Sequence, residues 1–231
     1  MPRESSPRAA KPKSALGFTR KLLAWFARHG RDLPWRRTRD PYRVLVSEFM
    51  LQQTQVSRVT EYYPRFLERF PTVEHLARAR PRAVREEWDG LGYYARASNL
   101  HALARVVSKD LSGELPSNPD ELIKLPGVGR YTAGAVATFA YEKPVAAVDT
   151  NVARVIRRAF VRGNDKRVWA MAGVLVPKDG KRAWRFNQAI MELGALICVA
   201  RKPKCPECPV RKDCKTGRRL ASKDRRRGQR Q

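Results

Sequence analysis

Leu125-Pro126-Gly127-Val128-Gly129-Arg130-Tyr131 is the stretch on which the reading of this chain turns. It lies between two segments of helical periodicity, about 119–124 and 130–141. Pro126 and the two glycines suit a tight turn with positive φ. Val128 is placed to plug the crossing of the two helices. The second helix begins at Arg130, so its free backbone N–H groups point out of the turn. Such a terminus binds an anion, a DNA phosphate for instance, without reading base sequence. A lone Gly-x-Gly is also an ordinary helix–helix turn, so the surroundings decide.

Working outward, almost everything between Ala15 and Ala200 carries helical spacing. Phe18, Leu22, Leu23, Trp25 and Phe26 form an N-terminal apolar stripe. Asp40-Pro41 reads as N-cap and first helical residue ahead of a long apolar run. Further helices are expected over about 55–69, 73–78, 81–88, 95–110, 150–161, 166–175 and 183–197. Strand alternation is hard to find anywhere, and proline and glycine fall in the connectors, as in Leu33-Pro34, Gly90-Leu91-Gly92 and Lys143-Pro144. The expected fold is all-α, built from short helices. Residues 1–14 and 215–231 read as disordered basic arms, with a helical core over 15–197 and a cysteine loop over 198–214.

The 231 residues carry 48 Lys and Arg against 22 Asp and Glu, a formal net charge of +26. Residues 1–20 hold five basic groups and one acid, and 215–231 hold eight and one, so +15 remains on 21–214. The folded part is itself basic, and a polyanion is the natural partner. No run approaches the roughly 18 apolar residues of a membrane span. No signal-peptide core precedes Ser14. A reducing compartment is expected, the cytoplasm (nucleoid-associated in a prokaryote), with no membrane partner and a monomeric protein.

All four cysteines fall in the pattern Cys198-x6-Cys205-x2-Cys208-x5-Cys214. Four thiolates in one short loop can close around a metal centre rather than cross-link a fold. The spacing alone suits zinc and an iron–sulfur cluster equally. Pro206 and Pro209 stiffen the loop.

Two carboxylates stand in unusual places. Glu48 interrupts Val44-Leu45-Val46-Ser47-Glu48-Phe49-Met50-Leu51, with Val44, Leu45 and Leu51 as helical neighbours. Burial raises a carboxyl pKa, so Glu48 reads as a general acid, or as a carboxylate at the core margin paired with an Arg such as Arg96. Asp149 follows Val145-Ala146-Ala147-Val148 and looks like a helix N-cap. His29, His75 and His101 have no partner spacing and read as surface or helix-end residues.

Together these segments resemble the helix-hairpin-helix iron–sulfur DNA glycosylases over Phe18–Cys214, and within them the MutY branch of adenine glycosylases. The likeness rests on Leu33-Pro34-Trp35-Arg36, on Ser47-Glu48-Phe49-Met50-Leu51-Gln52-Gln53-Thr54-Gln55-Val56 and on Gly90-Leu91-Gly92-Tyr93-Tyr94-Ala95-Arg96. It extends to the hairpin with its Gly127, Val128 and Gly129, to Val148-Asp149-Thr150-Asn151-Val152 and to Met191-Glu192-Leu193-Gly194-Ala195.

The resemblance implies a two-lobed fold, one lobe of about 42–145 bearing the hairpin and the other bearing a 4Fe-4S cluster on Cys198, Cys205, Cys208 and Cys214. It implies removal of adenine from A:G or A:8-oxoguanine mismatches in double-stranded DNA. Glu48 matches the acid that protonates the leaving base, and Asp149 the carboxylate that stabilises the sugar cation. Asn151 matches a residue that orients the site. Gln53 and Tyr93, beside Thr54, match the wedge that fills the stack around a flipped base. Trp35, Arg36 and Leu51 match the adenine pocket, and Arg201, Lys202 and Lys204 are expected to reach the DNA backbone.

Tyr131 stands where the endonuclease III branch has a lysine. A phenol cannot form a Schiff base, so a monofunctional enzyme is expected. Two features depart from the branch: Thr150 follows the aspartate where Gly is frequent, and no counterpart of the branch's C-terminal 8-oxoguanine-recognition domain is expected. A thymine or uracil mismatch glycosylase on the same scaffold, and a non-catalytic DNA-binding protein, are the competing readings.

Overall fold

The computed structural model describes Pro12 and residues 14–228, with side chains as far as Ser222. All other residues of the expected N-terminal arm except Ser14 lie outside that range. Twelve α-helices, three short 3-10 helices and no strand occur among the described residues. In chain order the α-helices are α1 (Ser14–His29), α2 (Pro41–Leu51), α3 (Val56–Arg69), α4 (Val73–Arg78), α5 (Pro81–Glu87) and α6 (Ala95–Asp110). There follow α7 (Pro119–Leu122), α8 (Arg130–Phe139), α9 (Thr150–Ala159), α10 (Asp165–Leu175), α11 (Gly180–Leu196) and α12 (Lys215–Gly228). The chain divides into two compact units, Asp32–Lys143 and Met1–Arg31 with Pro144–Gln231.

The Asp32–Lys143 unit is organised around α2. Asp40 caps this helix by accepting from the Arg43 N–H at 2.9 Å, and Pro41 opens it. Every residue from Val44 to Met50 is buried, the state of a helix that is apolar on all sides. It packs against α3, α6 and α8. The approach of α8 depends on small side chains, since Thr132, Ala133, Gly134, Ala135, Ala137 and Thr138 are all buried. A second layer of aromatic packing sets Phe66 edge-on to Phe70 and to Trp88.

The second unit packs α1 on α11, and α9 against both α10 and α11. Phe18, Leu22, Ile156, Phe186 and Ile190 form its centre. Glu192, 1% exposed on its side chain, is gripped by the Arg31 guanidinium at 2.7 and 2.9 Å and by the Arg31 N–H at 3.0 Å. Asp149, Asn164 and Asp179 each accept a backbone N–H at the start of α9, α10 and α11.

Four boundaries differ from expectation by two residues or more, among them the end of α9, at Ala159 rather than 161. The segment before the hairpin makes only the single turn of α7, and α8 ends at Phe139. The Asp179 cap starts α11 three residues early. The larger correction is the tail 215–231, expected to be disordered: 229–231 lie outside the described residues, and Lys215–Gly228 is helical. Its first turn is tied down: Thr216 Oγ1 donates to the Arg158 carbonyl at 2.8 Å and Lys215 Nζ to the Phe160 carbonyl at 2.6 Å. These bonds supply the nucleus that so polar a segment lacks alone. No described helix is long and apolar enough to cross a membrane.

Candidate functional site

In the Asp32–Lys143 unit the hairpin is a real turn with a steric reason for one glycine. Gly127 has φ +72°, and a Cβ there would lie 2.6 Å from Asn99 Cβ and 3.0 Å from Phe49 Cε1. Val128 is buried and donates its N–H to the Leu125 carbonyl at 3.1 Å. Gly129 is different: it is exposed, caps α8, and a Cβ there would meet nothing within 4 Å. Sterics therefore do not require glycine at this position. Tyr131 is half-buried in the first turn of α8.

Glu48 is 4% exposed, in the middle of α2. Water is withdrawn from its carboxyl, the condition under which an ionised form is costly. Arg96 does not pair with it. That guanidinium, rising from α6, is spent on backbone carbonyls: Nη1 on Phe49, Met50 and Gln52 at 3.0, 2.8 and 2.5 Å, Nη2 on Leu91 and Gly92 at 3.0 and 2.9 Å. One arginine thus closes the C-terminus of α2 and joins it to the turn before α6.

Those two segments carry Gln53 and Tyr93, with φ of +56° and +49°. Non-glycine residues seldom adopt this backbone. Gln53 is exposed, Tyr93 is 60% exposed, and the Arg96 guanidinium sits 5.5 Å from the Tyr93 ring. Arg58 adds a second tie, donating to the Gly90 carbonyl at 2.9 Å. Thr54 and Leu51 are half-buried beside Gln53. Trp35 is buried edge-on against Tyr63, and Arg36 is half-buried next to it.

In the other unit Asp149 uses one carboxylate oxygen to accept from the Val152 N–H at 2.7 Å and the other to accept from Asn151 Nδ2 at 2.9 Å. Asn151 Oδ1 in turn accepts from Arg154 Nη2 at 2.6 Å. Arg154 continues to the Gly194 carbonyl and, through Nε, to the Cys198 carbonyl, both at 2.8 Å. A hydrogen-bonded path therefore runs from the catalytic candidate Asp149 to the cysteine loop. Gly194 makes room for it: a Cβ there would lie 2.7 Å from Asn151 Cβ and 3.1 Å from its backbone. Arg154 was not singled out from sequence, because one arginine in an Arg-rich chain carries no signal of its acceptors.

Cys198, Cys205, Cys208 and Cys214 line one cavity together with Phe18, Val155 and Leu193. Arg158 clamps the loop through the Cys198, Val199 and Ala200 carbonyls and reaches Cys198 Sγ at 3.4 Å. Beyond the clamp, Arg201, Lys202 and Lys204 are exposed, Lys202 with φ +49°.

Residues 46–173 match the family model of the HhH-GPD superfamily of base excision DNA repair proteins. The chain belongs to this superfamily. Residues 198–214 match the iron–sulfur binding domain of endonuclease III. An adenine DNA glycosylase of Rattus norvegicus is 43% identical over 219 residues, covering 88% of this chain and 42% of that protein. One from Mycolicibacterium smegmatis is 46% identical over 195 residues, covering 82% of this chain and 66% of its own length. The chain thus spans less than half of the mammalian relative. Among solved structures, a thermostable thymine-DNA glycosylase superposes with TM-score 0.83 at 36% identity over 90% of this chain and 98% of that one. An endonuclease III–DNA covalent intermediate superposes with TM-score 0.78 at 27% identity, over 92% of this chain and 99% of that one.

The superfamily's iron–sulfur loop fits the donors found here. The four thiols stand around one cavity, as a polynuclear group requires. Burial pushes the Cys208 thiol up to about 11 and raises those of Cys205 and Cys214, with the neighbouring cysteine sulfurs adding to the effect. Four thiolates there need a cationic metal centre between them.

Proposed function

We propose that this chain is a monofunctional DNA glycosylase that removes adenine mispaired with guanine or 8-oxoguanine from double-stranded DNA. The observation that carries the reading is the contrast between its two carboxyl groups. Glu48 is buried within the apolar helix α2, and burial penalises the charged form of a carboxyl. Asp149 accepts N–H donors on both oxygens, from Val152 and from Asn151. Two carboxyls in such different surroundings suit the division of glycosidic cleavage between a proton donor and an electrostatic stabiliser. Adenine departs poorly as an anion, so Glu48 gives its proton to the leaving base. Asp149, oriented by Asn151, stabilises the positive charge that develops on the sugar. Water completes the substitution, and an abasic site remains.

Tyr131 offers no amine for a Schiff base, so the strand stays intact. Gln53 and Tyr93 fill the helix around the extruded nucleotide, and the exposed Gly129 end of α8 receives a backbone phosphate. Cys198, Cys205, Cys208 and Cys214 hold the 4Fe-4S cluster, whose contribution in this reading is to order the loop bearing Arg201, Lys202 and Lys204. The adenine glycosylases at 43–46% identity support adenine as the target. The thymine-DNA glycosylase likeness at 36% makes T:G the second reading.

Single-turnover excision on duplexes carrying A:8-oxoguanine, A:G, T:G and U:G, with alkali added afterwards, tests this. Cleavage at adenine only after alkali is expected. Excision of thymine or uracil alone overturns the substrate, and nicking without alkali overturns the monofunctional assignment. Glu48→Gln keeps the shape without the proton and is expected to lower excision by about 10²–10⁴-fold, with mismatch binding retained.

A further inference from the structure

A second concave surface lies at the other end of α9. Asp149 caps the N-terminus of this helix; at its C-terminus the residues after Ala159, the start of α10 and the first turn of α12 enclose an open cavity of about 1080 Å³. At 1.5 Å per residue the two ends are about 15 Å apart. The cavity has an apolar floor of Phe160, Val161, Ala170 and Met171 beneath a rim made almost entirely of arginine and lysine.

Some of these cations already have employment. Arg157 pairs with Asp165, Arg158 clamps the cysteine loop, and Lys215 Nζ donates to the Phe160 carbonyl. Such pairing is what the negative end of a helix dipole asks for. Arg162, Lys166 and Arg219 are another matter. They come from three different segments, line the same cavity and are exposed, and their side chains have no hydrogen bond or ion pair among the described residues. The dipole of α9 does not account for them, since none touches a terminal carbonyl. Each offers donors only, and like charges gathered around one hollow repel unless an anion joins them.

We propose that this cavity is a second site for the phosphate backbone of nucleic acid, distinct from the Asp149 end of α9. A phosphodiester supplies what the rim lacks: full charge and paired oxygens that a planar guanidinium meets two at a time. The choice of nucleic acid over another polyanion rests on the DNA-acting reading above; the cavity itself does not. The site binds without sequence preference, and it lets the protein hold a flanking stretch of a long duplex, or a second duplex, while the Asp149 end engages another.

The test compares the cluster-loaded full chain with the triple variant R162A/K166A/R219A, with R162K/R219K as a charge-preserving control. All three side chains are exposed, and cluster absorbance reports that the variant folds. The primary readout is the salt dependence of binding to a long undamaged duplex. Each lost phosphate contact reduces the slope of log K against log salt by about 0.9. A reduction of as much as about 2.7 is therefore expected in the triple variant, and little change in the lysine control. Binding and single-turnover excision on a short duplex just spanning the mismatch should be unchanged.

An unchanged long-duplex slope overturns the proposal. An equal loss on the short duplex overturns it too, by assigning these cations to the mismatch site. Sodium tripolyphosphate provides the third arm. If it raises the melting temperature of the wild type but not of the variant, while the DNA slope is the same in both, the cavity takes free phosphates and the nucleic-acid assignment fails. If no substrate is excised from any duplex, the proposed glycosylase activity fails, and the slope still decides this site.

Discussion

Arg96 shows how much one side chain contributes to this site. Its guanidinium is buried with no carboxylate on it; five backbone carbonyls take its charge. Left-handed backbone costs a non-glycine residue about 1–2 kcal/mol, so Gln53 and Tyr93 together oppose folding by about 2–4 kcal/mol. Hydrogen bonds from a charged donor contribute about 1.5–3 kcal/mol apiece, and five of them outweigh that strain even with heavy overlap. Replacing Arg96 with methionine leaves the carbonyls dry and lets both turns relax. A loss of at least about 3 kcal/mol in a urea melt is expected. Lysine keeps the charge without the planar fork. Arg96→Lys should therefore recover part of the stability while excision remains impaired, with single-turnover rates falling more than mismatch affinity. Equal recovery of both would show that Arg96 serves folding alone.

At the scale of elements, the packing of α4 on α6 carries a pH dependence. His101 is 7% exposed on α6, and burial lowers its pKa below the ordinary 6.5, with Arg105 adding to the effect against hydrogen bonds to the Ala77 and Ala79 backbone. Its Nε2 is buried without a partner among the described residues. The folded state favours the neutral ring, so below about 6.5 the unfolded chain binds more protons and stability falls with pH. Thermal unfolding of wild type should weaken from pH 7 toward pH 5, and His101→Gln should flatten that slope; a parallel slope in the variant would remove His101 as its source. Sequence placed this histidine at a surface or helix end, because three isolated histidines give no pattern. Other elements were legible. The apolar run 44–51 gave a buried α2, and Asp40 and Asp149 read as caps because a short acceptor before a periodic run has few other uses. The links between elements were not. Arg96 and Arg154 bond to backbone carbonyls, which every residue carries, so nothing in the chain of letters marks their targets. The helix of the tail was hidden for the same reason: its first turn is seeded by carbonyls of Arg158 and Phe160.

For the whole molecule the dominant quantity is charge. A net +26 attracts any polyanion, and most of it is solvated surface that adds affinity without fixing where the DNA lies. What distinguishes a binding group from that background is rigidity, because an immobilised cation loses little entropy when it meets a phosphate. The loop after Cys198 is a basic segment whose backbone is held by several hydrogen bonds. Arg158 fixes the Cys198, Val199 and Ala200 carbonyls, the Lys204 N–H returns to the Ile197 carbonyl at 2.9 Å, and Lys202 is kept at positive φ. Replacing Arg201, Lys202 and Lys204 together with alanine should weaken binding by the same factor on matched and mismatched duplexes. The salt slope should fall by up to about 2.7, from three contacts of about 0.9 each. Removing the iron by oxidation and chelation frees the thiols but leaves all three cations in the chain. It should reproduce most of that loss of slope, because the cations remain while their fixed presentation does not. If the iron-free protein, still folded by circular dichroism, binds with the wild-type slope, rigidity is not what the cluster contributes, and the loop reaches DNA through charge alone.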